Sequence, residues 1–327
     1  MPNLLAISDQ PNKLGTLHLR YMNHILSANQ FKKQDLDKIL LRAEEMEKQV
    51  GAGKVNKLLA DKIVACLFFE PSTRTRMSFE SAALRLGAQV ISMENGAESS
   101  SAHKGETLED SIKIVSAYSD LIVLRHPEAG AAEKAAGVCT VPIINAGDGP
   151  NQHPTQGLLD LYTIKKEKGT LENLTFAFVG DLIYGRTLHS FLPFLSEYPN
   201  NKFYFISPKE LALPAEYKEL LKSKNLIFEE GQNLEAALKE ADVIYMTRVQ
   251  KERFKNVEDY NKVKDLFLLK QEHLNQIKKD AIIMHPLPRV NEIDPAIDQD
   301  PRAAYFRQAK NGLYTRMALL LHALGIS

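Results

Sequence analysis

A short polar segment carries the residue types best suited to holding a phosphate group. Residues 72–76 read Ser-Thr-Arg-Thr-Arg and follow an apolar run, 62–69, that has the composition of a buried strand. Pro71 disfavours helical backbone in the residue before it, so a helix is expected to start at Ser72. The unpaired N–H groups and positive dipole end of that helix would bind an anion, to which Arg74 can add bidentate hydrogen bonds. The segment therefore predicts an anion site.

The arginines separate this interpretation from ordinary helix capping. Serine and threonine cap many helix starts, and an arginine in a first turn is often only solvated. Positive side chains at this end oppose the helix dipole, however, so a sequence selected for stability alone would carry acidic residues there. Arg74 and Arg76 are explained if an anion lies between them.

Polar clusters also follow other predicted strands, at the point where each strand ends. Ligands of parallel α/β sheets bind at the carboxyl ends of the strands, so these side chains are expected to meet in one cleft. A single arginine or histidine in a loop is usually structural or solvated. The prediction of one shared cleft depends on such residues following several strands of both halves of the chain. Several guanidinium groups in one cleft repel each other unless the ligand carries several negative charges. Beside Arg74, the clusters contain Arg125, His153 and Gln156 in the first half and Arg186, Arg248, Gln250 and His285 in the second.

Strand and helix patterns alternate along the chain. This alternation predicts two doubly wound parallel-sheet α/β domains with the active site in the cleft between them. We expect a first domain over 1–153, a second over 154–309, and a C-terminal helix, 310–327, that packs back on the first. The predicted strands are 63–69, 89–93, 121–124, 142–145, 175–179, 202–206, 226–228, 243–246 and 281–284. The other predicted helices are 36–50, 74–86, 108–119, 128–136, 154–166, 186–195, 214–222 and 234–240, with Pro193 expected to bend or shorten its helix.

Composition limits the class of partner. The 327 residues exceed the size of one hydrophobic core, while 44% hydrophobic and 25% charged residues are typical of globular domains. Lys plus Arg equals Asp plus Glu at 41 each, so no overall field favours nucleic acid. No run approaches the roughly 18 apolar residues that span a membrane, and the N-terminus does not resemble a signal peptide. We therefore expect a cytoplasmic protein without nucleic-acid or membrane partners.

The patterns of common cofactor sites do not occur. Residues 180–185 begin like a dinucleotide-binding turn but lack G-x-G-x-x-G, and there is no G-x-x-x-x-G-K-[ST]. His103 and His126 lack a third partner at ligand spacing, and Cys66 and Cys139 lie in apolar surroundings typical of buried thiols. We expect neither a cofactor nor a metal.

Five motifs, taken in order, make the chain similar to a known family. From about residue 17 to 321 the sequence resembles the catalytic chains of aspartate carbamoyltransferases, within the aspartate/ornithine carbamoyltransferase superfamily. The ornithine enzymes typically read His-Cys-Leu-Pro where this chain has His-Pro-Leu-Pro at 285–288, so the resemblance favours aspartate. The motifs are residues 72–76, 153–156, 185–187, 247–250 and 285–288.

The resemblance implies an activity. Family members transfer the carbamoyl group of carbamoyl phosphate to the amine of L-aspartate in pyrimidine biosynthesis, as homotrimers with shared active sites and no cofactor. Two alternatives stay open: a carbamoyltransferase for another amino acid, and a catalytically silent paralog that acts as a binding or scaffold subunit. The silent paralog is disfavoured because Arg74, Arg125, His153, Arg186 and Arg248 are all present. The sequence does not say whether regulatory or dihydroorotase chains associate.

The resemblance also implies residue roles. Arg74, Thr75, Arg125, His153 and Lys104 would be catalytic, and the cluster of arginines should lower the pKa of His153 and leave it a neutral donor. The family has the peptide bond at 287–288 cis. Carbamoyl phosphate would be held by Ser72, Thr73, Arg74, Thr75 and Arg125, its carbamoyl group by His153, Gln156 and the backbone of Leu287 and Pro288, and the aspartate carboxylates by Arg186, Arg248 and Gln250.

One polar loop, 99–107, reaches a neighbouring subunit's site in the family. Ser100 and Lys104 match the contributing positions, so a monomer would be inactive. By composition alone the loop reads as a solvated connection. His103 departs from the family, where a second lysine is common, so its contribution to the charge of the site is an open point.

Overall fold

The protein has two lobes, each built on a β-sheet, and the computed structural model describes residues 23–54, 57–95, 105–251, 254 and 256–326. The first lobe contains α1 (Lys33–Gly51), β1 (Ile63–Phe68), α2 (Thr73–Arg85), β2 (Gln89–Glu94), α3 (Leu108–Ser116), β3 (Leu121–His126), α4 (Ala131–Ala136) and β4 (Ile143–Asp148). Helix α5 (Pro154–Lys168) leads to the second lobe. That lobe contains β5 (Thr175–Val179), α6 (Arg186–Leu195), β6 (Lys202–Ile206), α7 (Ala215–Ser223), β7 (Ile227–Gly231), α8 (Leu234–Glu240), β8 (Val243–Met246), α9 (Val257–Val263) and β9 (Ile282–Met284), and α10 (Tyr305–Ala323) closes the chain.

Both sheets are parallel. The strand order is β2-β1-β3-β4 in the first sheet and β7-β6-β5-β8-β9 in the second. The central strands are buried along their length because helices cover both faces, which explains their continuous apolar sequence. The edge strands β2 and β7 are partly exposed and mix polar with apolar residues. The prediction of two parallel α/β domains is confirmed.

Two helices, α5 and α10, join the lobes. Helix α5 packs on α6 of the second lobe, and α10 packs on α1, α2 and α5. A single apolar core runs through this layer and reaches both sheets, from Val64 in β1 to Phe178 in β5. The carboxyl ends of the two sets of strands therefore border the same space.

The differences from the predicted elements have local causes. Helix α9 was not predicted, because its sequence lacks a clear apolar face and buries only Val263. Helix α4 begins at Ala131 because Gly130, in left-handed backbone conformation, precedes it. Helix α10 begins at Tyr305, before the predicted start, since Tyr305 and Gln308 are already buried. Helix α6 continues past Pro193 and ends soon after it.

Both cysteines are buried, as the sequence indicated. Burial raises the pKa of the Cys66 thiol to about 12, which leaves it protonated and unreactive at neutral pH. Within the described part of the chain, no helix has the length and apolarity that crossing a membrane requires.

Candidate active site

A cavity of about 810 Å³ lies between the lobes. The carboxyl ends of β1, β3 and β4 face it from the first lobe, and those of β5, β8 and β9 from the second. The predicted site residues within the described ranges all line it: Ser72, Thr73, Arg74, Thr75, Arg125, His153, Gln156, Arg186, Arg248, Gln250, Leu287 and Pro288. Ser100, His103 and Lys104 lie outside the described residues.

The N-terminus of α2 forms one end of the cavity. Ser72 occupies the N-cap position, as expected, and its side chain makes no capping hydrogen bond, which leaves the hydroxyl available to a ligand. No acidic residue lies in the first turn of α2. The N–H groups of that turn, which have no partner within the helix, are therefore not bound by a carboxylate of the same turn. Thr75 is buried, and partial burial lowers the pKa of the Arg74 guanidinium. This end combines a helix N-terminus with a cation, which is an anion-binding arrangement.

Arg125 lies deeper, at the end of β3. Its side chain is 9% exposed, and burial, followed by the charge of Arg186, lowers its pKa to about 10. Nη1 donates a 3.4 Å hydrogen bond to the Ala146 carbonyl, while Nε has no hydrogen-bond partner among the described residues. The guanidinium therefore keeps donor capacity for a ligand in the cavity.

Glu70 stands between two of the arginines. Its Oε2 lies 3.3 Å from Arg125 Nη2 and 3.3 Å from Arg186 Nη1. Arg186 also donates a 2.6 Å hydrogen bond to the Gly149 carbonyl, so this second-lobe side chain is anchored to the first lobe at two points. Sequence analysis did not identify Glu70, although its position between β1 and the predicted phosphate segment was a usable signal.

His153 is buried at the start of α5. Its backbone N–H donates a 2.7 Å hydrogen bond to Ser190 Oγ of α6. This bond fixes the start of α5 on the second lobe. The pKa of His153 lies well below its ordinary value, chiefly because of burial and then because of Arg125 and Arg186. The predicted direction agrees with this shift, but the predicted cause ranks second to burial.

Gly147 allows the side chains of Arg125 and His153 to approach each other. Its φ is +119°, and a Cβ atom here would lie 3.2 Å from Arg125 Nη1 and 3.5 Å from His153 Cδ2. A larger residue would be strained in its backbone and would crowd the arginine against the imidazole.

Asp181 organises the second-lobe side of the cavity. Its carboxylate accepts hydrogen bonds from the backbone N–H of Tyr184 at 2.9 Å and of Gln250 at 3.3 Å, and burial raises its pKa to about 6. The Gln250 side chain donates a 2.8 Å hydrogen bond to the Tyr184 carbonyl. The loop that carries Arg186 is thereby tied to the loop that carries Arg248.

The turn at 285–288 is held from within. His285 Nδ1 accepts a 2.7 Å hydrogen bond from the Leu287 N–H, and Nε2 lies 2.7 Å from Glu292 Oε1. Burial lowers the pKa of His285, so the neutral ring accepts at Nδ1 and donates from Nε2 to the glutamate. The Leu287–Pro288 bond is cis, as the resemblance implies.

Helix α10 contributes residues that sequence analysis missed: Gln308, Lys310 and Arg316 line the cavity. Arg316 is 3% exposed, its guanidinium lies 5.1 Å from the centre of the Phe79 ring, and burial lowers its pKa to about 10. Its Nε has no hydrogen-bond partner among the described residues. An arginine next to Met317, inside the apolar face of the predicted helix, was the signal that could have revealed it.

The described residues offer no group of His, Cys, Asp and Glu side chains that could hold a metal ion. The cavity is instead lined by cations, hydroxyls and amides, with Glu70 as the one carboxylate among the lining residues that the structure describes. Such a site can bind phosphate and carboxylate groups and donate hydrogen bonds to a carbonyl oxygen.

Comparison with known proteins identifies the class. The family model for the aspartate/ornithine carbamoyltransferase carbamoyl-P binding domain matches residues 23–166, and the model for the Asp/Orn binding domain matches residues 172–323. The chain therefore belongs to the aspartate/ornithine carbamoyltransferase family.

Within this family, the chain is similar to aspartate carbamoyltransferases. The aspartate carbamoyltransferase catalytic subunit of Clostridium novyi is 49% identical over 303 residues, which cover 93% of this chain and 98% of that protein. The catalytic subunit of M. jannaschii aspartate transcarbamoylase has a similar structure, with a TM-score of 0.86, 50% identity, and coverage of 91% of this chain and 97% of that one. Aspartate transcarbamoylase from Trypanosoma cruzi, in complex with carbamoyl phosphate and aspartate, aligns with a TM-score of 0.86 at 38% identity, over 91% of this chain and 95% of that one.

Proposed function

We propose that this chain transfers the carbamoyl group of carbamoyl phosphate to the amine of L-aspartate. A C–N bond forms, the C–O bond to phosphate breaks, and the products are N-carbamoyl-L-aspartate and phosphate. The observation that carries the proposal is the single cavity in which Arg74 and Arg125 of one lobe face Arg186 and Arg248 of the other. Glu70 compensates one of the positive charges, Lys310 and Arg316 add two more, and a phosphate and two carboxylates would neutralise most of the excess. The solved relative bound to both substrates supports the same pair here.

The phosphate lies at the N-terminus of α2. Backbone N–H groups there point at it, together with the hydroxyls of Ser72, Thr73 and Thr75 and the guanidinium groups of Arg74 and Arg125. No part of this set depends on the second lobe. The first lobe can therefore bind carbamoyl phosphate by itself.

The carbonyl oxygen of the carbamoyl group lies near Thr75, Arg125 and His153. Attack by the amine develops negative charge on this oxygen, and one well-placed donor to it is typically worth about 3 kcal/mol. The Thr155 hydroxyl lies 3.3 Å from His153 Nδ1. We assign it as the donor to Nδ1, which places the ring proton on Nε2, and the lowered pKa of His153 keeps the ring neutral.

The remaining groups position the reactants. Gln156 and the backbone at Leu287 and Pro288 surround the carbamoyl amide, while Arg186, Arg248 and Gln250 hold the aspartate carboxylates. The departing phosphate is itself a competent acceptor for the proton that the attacking amine loses, so no protein general base is assigned. Holding two small charged substrates in reactive geometry can supply on the order of 7 kcal/mol or more.

The active enzyme is a homotrimer with shared sites. Exposed apolar side chains on the first lobe support an interface there: Met77 and Leu84 on α2, Ile91 on β2, Ile114 on α3 and the following Tyr118. Met77 also lines the cavity, so this surface borders the site. A neighbouring subunit would supply Ser100 and Lys104 across that interface.

The remaining expectations follow from this reaction. Residues 1–153 form the carbamoyl-phosphate domain, on which the helix at 310–327 packs, and 154–309 form the aspartate domain. The enzyme acts in pyrimidine biosynthesis in the cytoplasm. Regulatory or dihydroorotase chains are partners to be sought by copurification.

A substrate panel tests the proposal. The chain is incubated with carbamoyl phosphate and either L-aspartate or L-ornithine, and the carbamoylated product is measured together with phosphate. Carbamoyl aspartate and phosphate in equal amounts are expected. Citrulline formation instead would support the ornithine alternative, and no product from either amine would support the silent paralog.

A further inference from the structure

Asp160 is a buried carboxyl group behind the wall of the cavity. It lies on α5, is 0% exposed, and does not itself line the cavity. Its Oδ1 accepts hydrogen bonds from Gln156 Nε2 at 2.9 Å and from Gln308 Nε2 at 2.7 Å. Its Oδ2 accepts a 2.7 Å hydrogen bond from the Tyr245 hydroxyl. Three elements, α5, α10 and β8, therefore meet at this one side chain.

Stability alone does not account for a carboxyl group at this point. Burial opposes ionisation and raises the pKa of Asp160 to about 7. A buried polar cluster of this kind is often no more stabilising than apolar side chains of similar shape. The arrangement calls for a reason outside folding.

A backbone N–H group fixes the direction of the hydrogen bonds between Asp160, Gln156 and Gln308. The His285 N–H donates a 2.9 Å hydrogen bond to the Gln308 side chain, so the atom that receives it must be the amide oxygen. The Gln308 NH₂ group must then face Asp160. Oδ1 of Asp160 is consequently a hydrogen-bond acceptor, whether or not Oδ2 carries a proton. Any second side-chain amide that bonds to Oδ1 must therefore also donate from its NH₂ group.

Gln156 is that second amide, and it lines the cavity. Because its NH₂ group is bound to Asp160, the atom it offers on the cavity side is the carbonyl oxygen, which accepts hydrogen bonds. The carbamoyl group carries an NH₂ donor. An acetyl group has the same shape but replaces this donor with a methyl group, which cannot satisfy the oxygen.

We propose that Asp160 is a positioning residue that holds the Gln156 amide oxygen toward the substrate and thereby sets the preference for carbamoyl phosphate over acetyl phosphate. This inference rests on the proposed function. Without the acceptor at Oδ1 the Gln156 amide is free to turn, and half of its orientations present NH₂ to the substrate NH₂.

The test compares three phosphate ligands. The affinities of carbamoyl phosphate, acetyl phosphate and inorganic phosphate are measured for the wild-type oligomer and for Asp160→Leu, Asp160→Asn and Tyr245→Phe. In Asp160→Leu the carbamoyl-to-acetyl affinity ratio should fall about three- to tenfold, the size of one hydrogen bond, while inorganic phosphate binding stays unchanged. Inorganic phosphate serves as the control for a merely structural effect, because it does not reach Gln156.

Two variants should keep the wild-type ratio. In Asp160→Asn the amide oxygen can face both glutamines, while its NH₂ group faces the Tyr245 hydroxyl, which can turn to accept. Tyr245→Phe removes the hydrogen bond to Oδ2 and leaves Oδ1 untouched. It is therefore the matched control for loss of a bond from the same cluster.

The outcomes separate the claims. An unchanged ratio in Asp160→Leu would overturn the role of Asp160, and so would a ratio in Asp160→Asn that falls to the level expected of the leucine variant. If the leucine variant fails to fold, Asp160→Ala, which also removes the acceptor, takes its place, and the same fall in the carbamoyl-to-acetyl ratio is expected. A wild-type protein that carbamoylates no aspartate would instead overturn the proposed function.

Discussion

The two sides of the cleft hold their polar groups differently. In the first lobe Thr75, Arg125 and His153 are buried, and Arg74 is exposed. In the second lobe Arg186, at the start of α6, and Arg248, on a loop, are half-buried. Burial lowers the pKa values of Arg125 and His153 more than neighbouring charges do. Under the proposed function, the first side is therefore a preformed site for phosphate and the carbamoyl group. The second side supplies cations at the rim, so carbamoyl phosphate is expected to bind before aspartate.

This difference has an energetic consequence. A donor fixed in a water-excluded site needs no reorganisation when charge develops on the substrate, so its removal lowers the rate of the chemical step. A half-buried cation that holds a substrate carboxylate contributes to binding in the ground state as well. Variants on the two sides should therefore change different kinetic constants.

The largest effect is expected at the phosphate end. Arg74→Ala should lower kcat by about 100- to 1000-fold, because the guanidinium faces charge that develops on the departing phosphate. Arg76→Ala is the matched control. The expectation that Arg76 shares the anion with Arg74 is wrong, because Arg76 does not line the cavity and forms ion pairs with Glu80 at 3.1 Å and Glu94 at 2.7 Å. Its loss should leave turnover near normal. Steady-state kinetics and thermal unfolding measure both variants. Near-normal turnover of Arg74→Ala would refute its role.

A smaller effect is expected on the other side of the cleft. Arg248→Ala should raise the KM for aspartate by about 10- to 100-fold, because one charge-assisted contact to a carboxylate is lost. The KM for carbamoyl phosphate should change little. If the two values rise together, the contrast between the two sides is wrong.

Mixed oligomers test whether sites are shared. Arg74→Ala and Lys104→Ala chains, each inactive alone, should regain up to about a quarter of wild-type activity after dissociation and random reassembly, because that fraction of sites combines two intact contributors. A mixture that was never dissociated is the control. Activity that does not recover would place Lys104 in its own chain's site, and a Lys104→Ala chain that is active alone would place Lys104 outside any site.

The smallest effect concerns burial itself. The pKa of Asp160 is raised from its ordinary 3.8 to about 7, so the folded protein holds the proton more tightly than the unfolded chain. Its contribution to stability is complete below the ordinary pKa and is lost as the pH rises through about 7. The free energy of unfolding of Asp160→Asn, relative to wild type, should therefore increase between about pH 5.5 and about pH 8 in denaturant titrations. A constant difference would contradict the shift.

Local sequence patterns were sufficient for the nine strands, for every α-helix of the described residues except α9, and for the predicted side chains at strand ends. Alternating strand and helix signals predicted the parallel sheets, and the motif at 72–76 predicted the start of the helix that borders the cavity, since both depend on neighbouring residues. The cluster around Asp160 was not predicted, because Tyr245 and Gln308 are distant in sequence and meet it only through packing. The place of Arg316 in the apolar face of the last helix was a usable signal, but its position at the cavity depends on how that helix packs. Burial, the main cause of the lowered pKa of His153, is also a property of the assembled fold.

The central claim is that cations of both lobes meet over one polyanionic ligand. Calorimetric titration with N-(phosphonacetyl)-L-aspartate tests it directly, with wild type, Arg74→Ala and Arg248→Ala each measured as the intact oligomer. Tight binding to wild type is expected, with a loss of at least about tenfold in each variant, one from each lobe. Absence of binding to wild type, or an affinity that depends on the arginine of one lobe alone, would contradict the account.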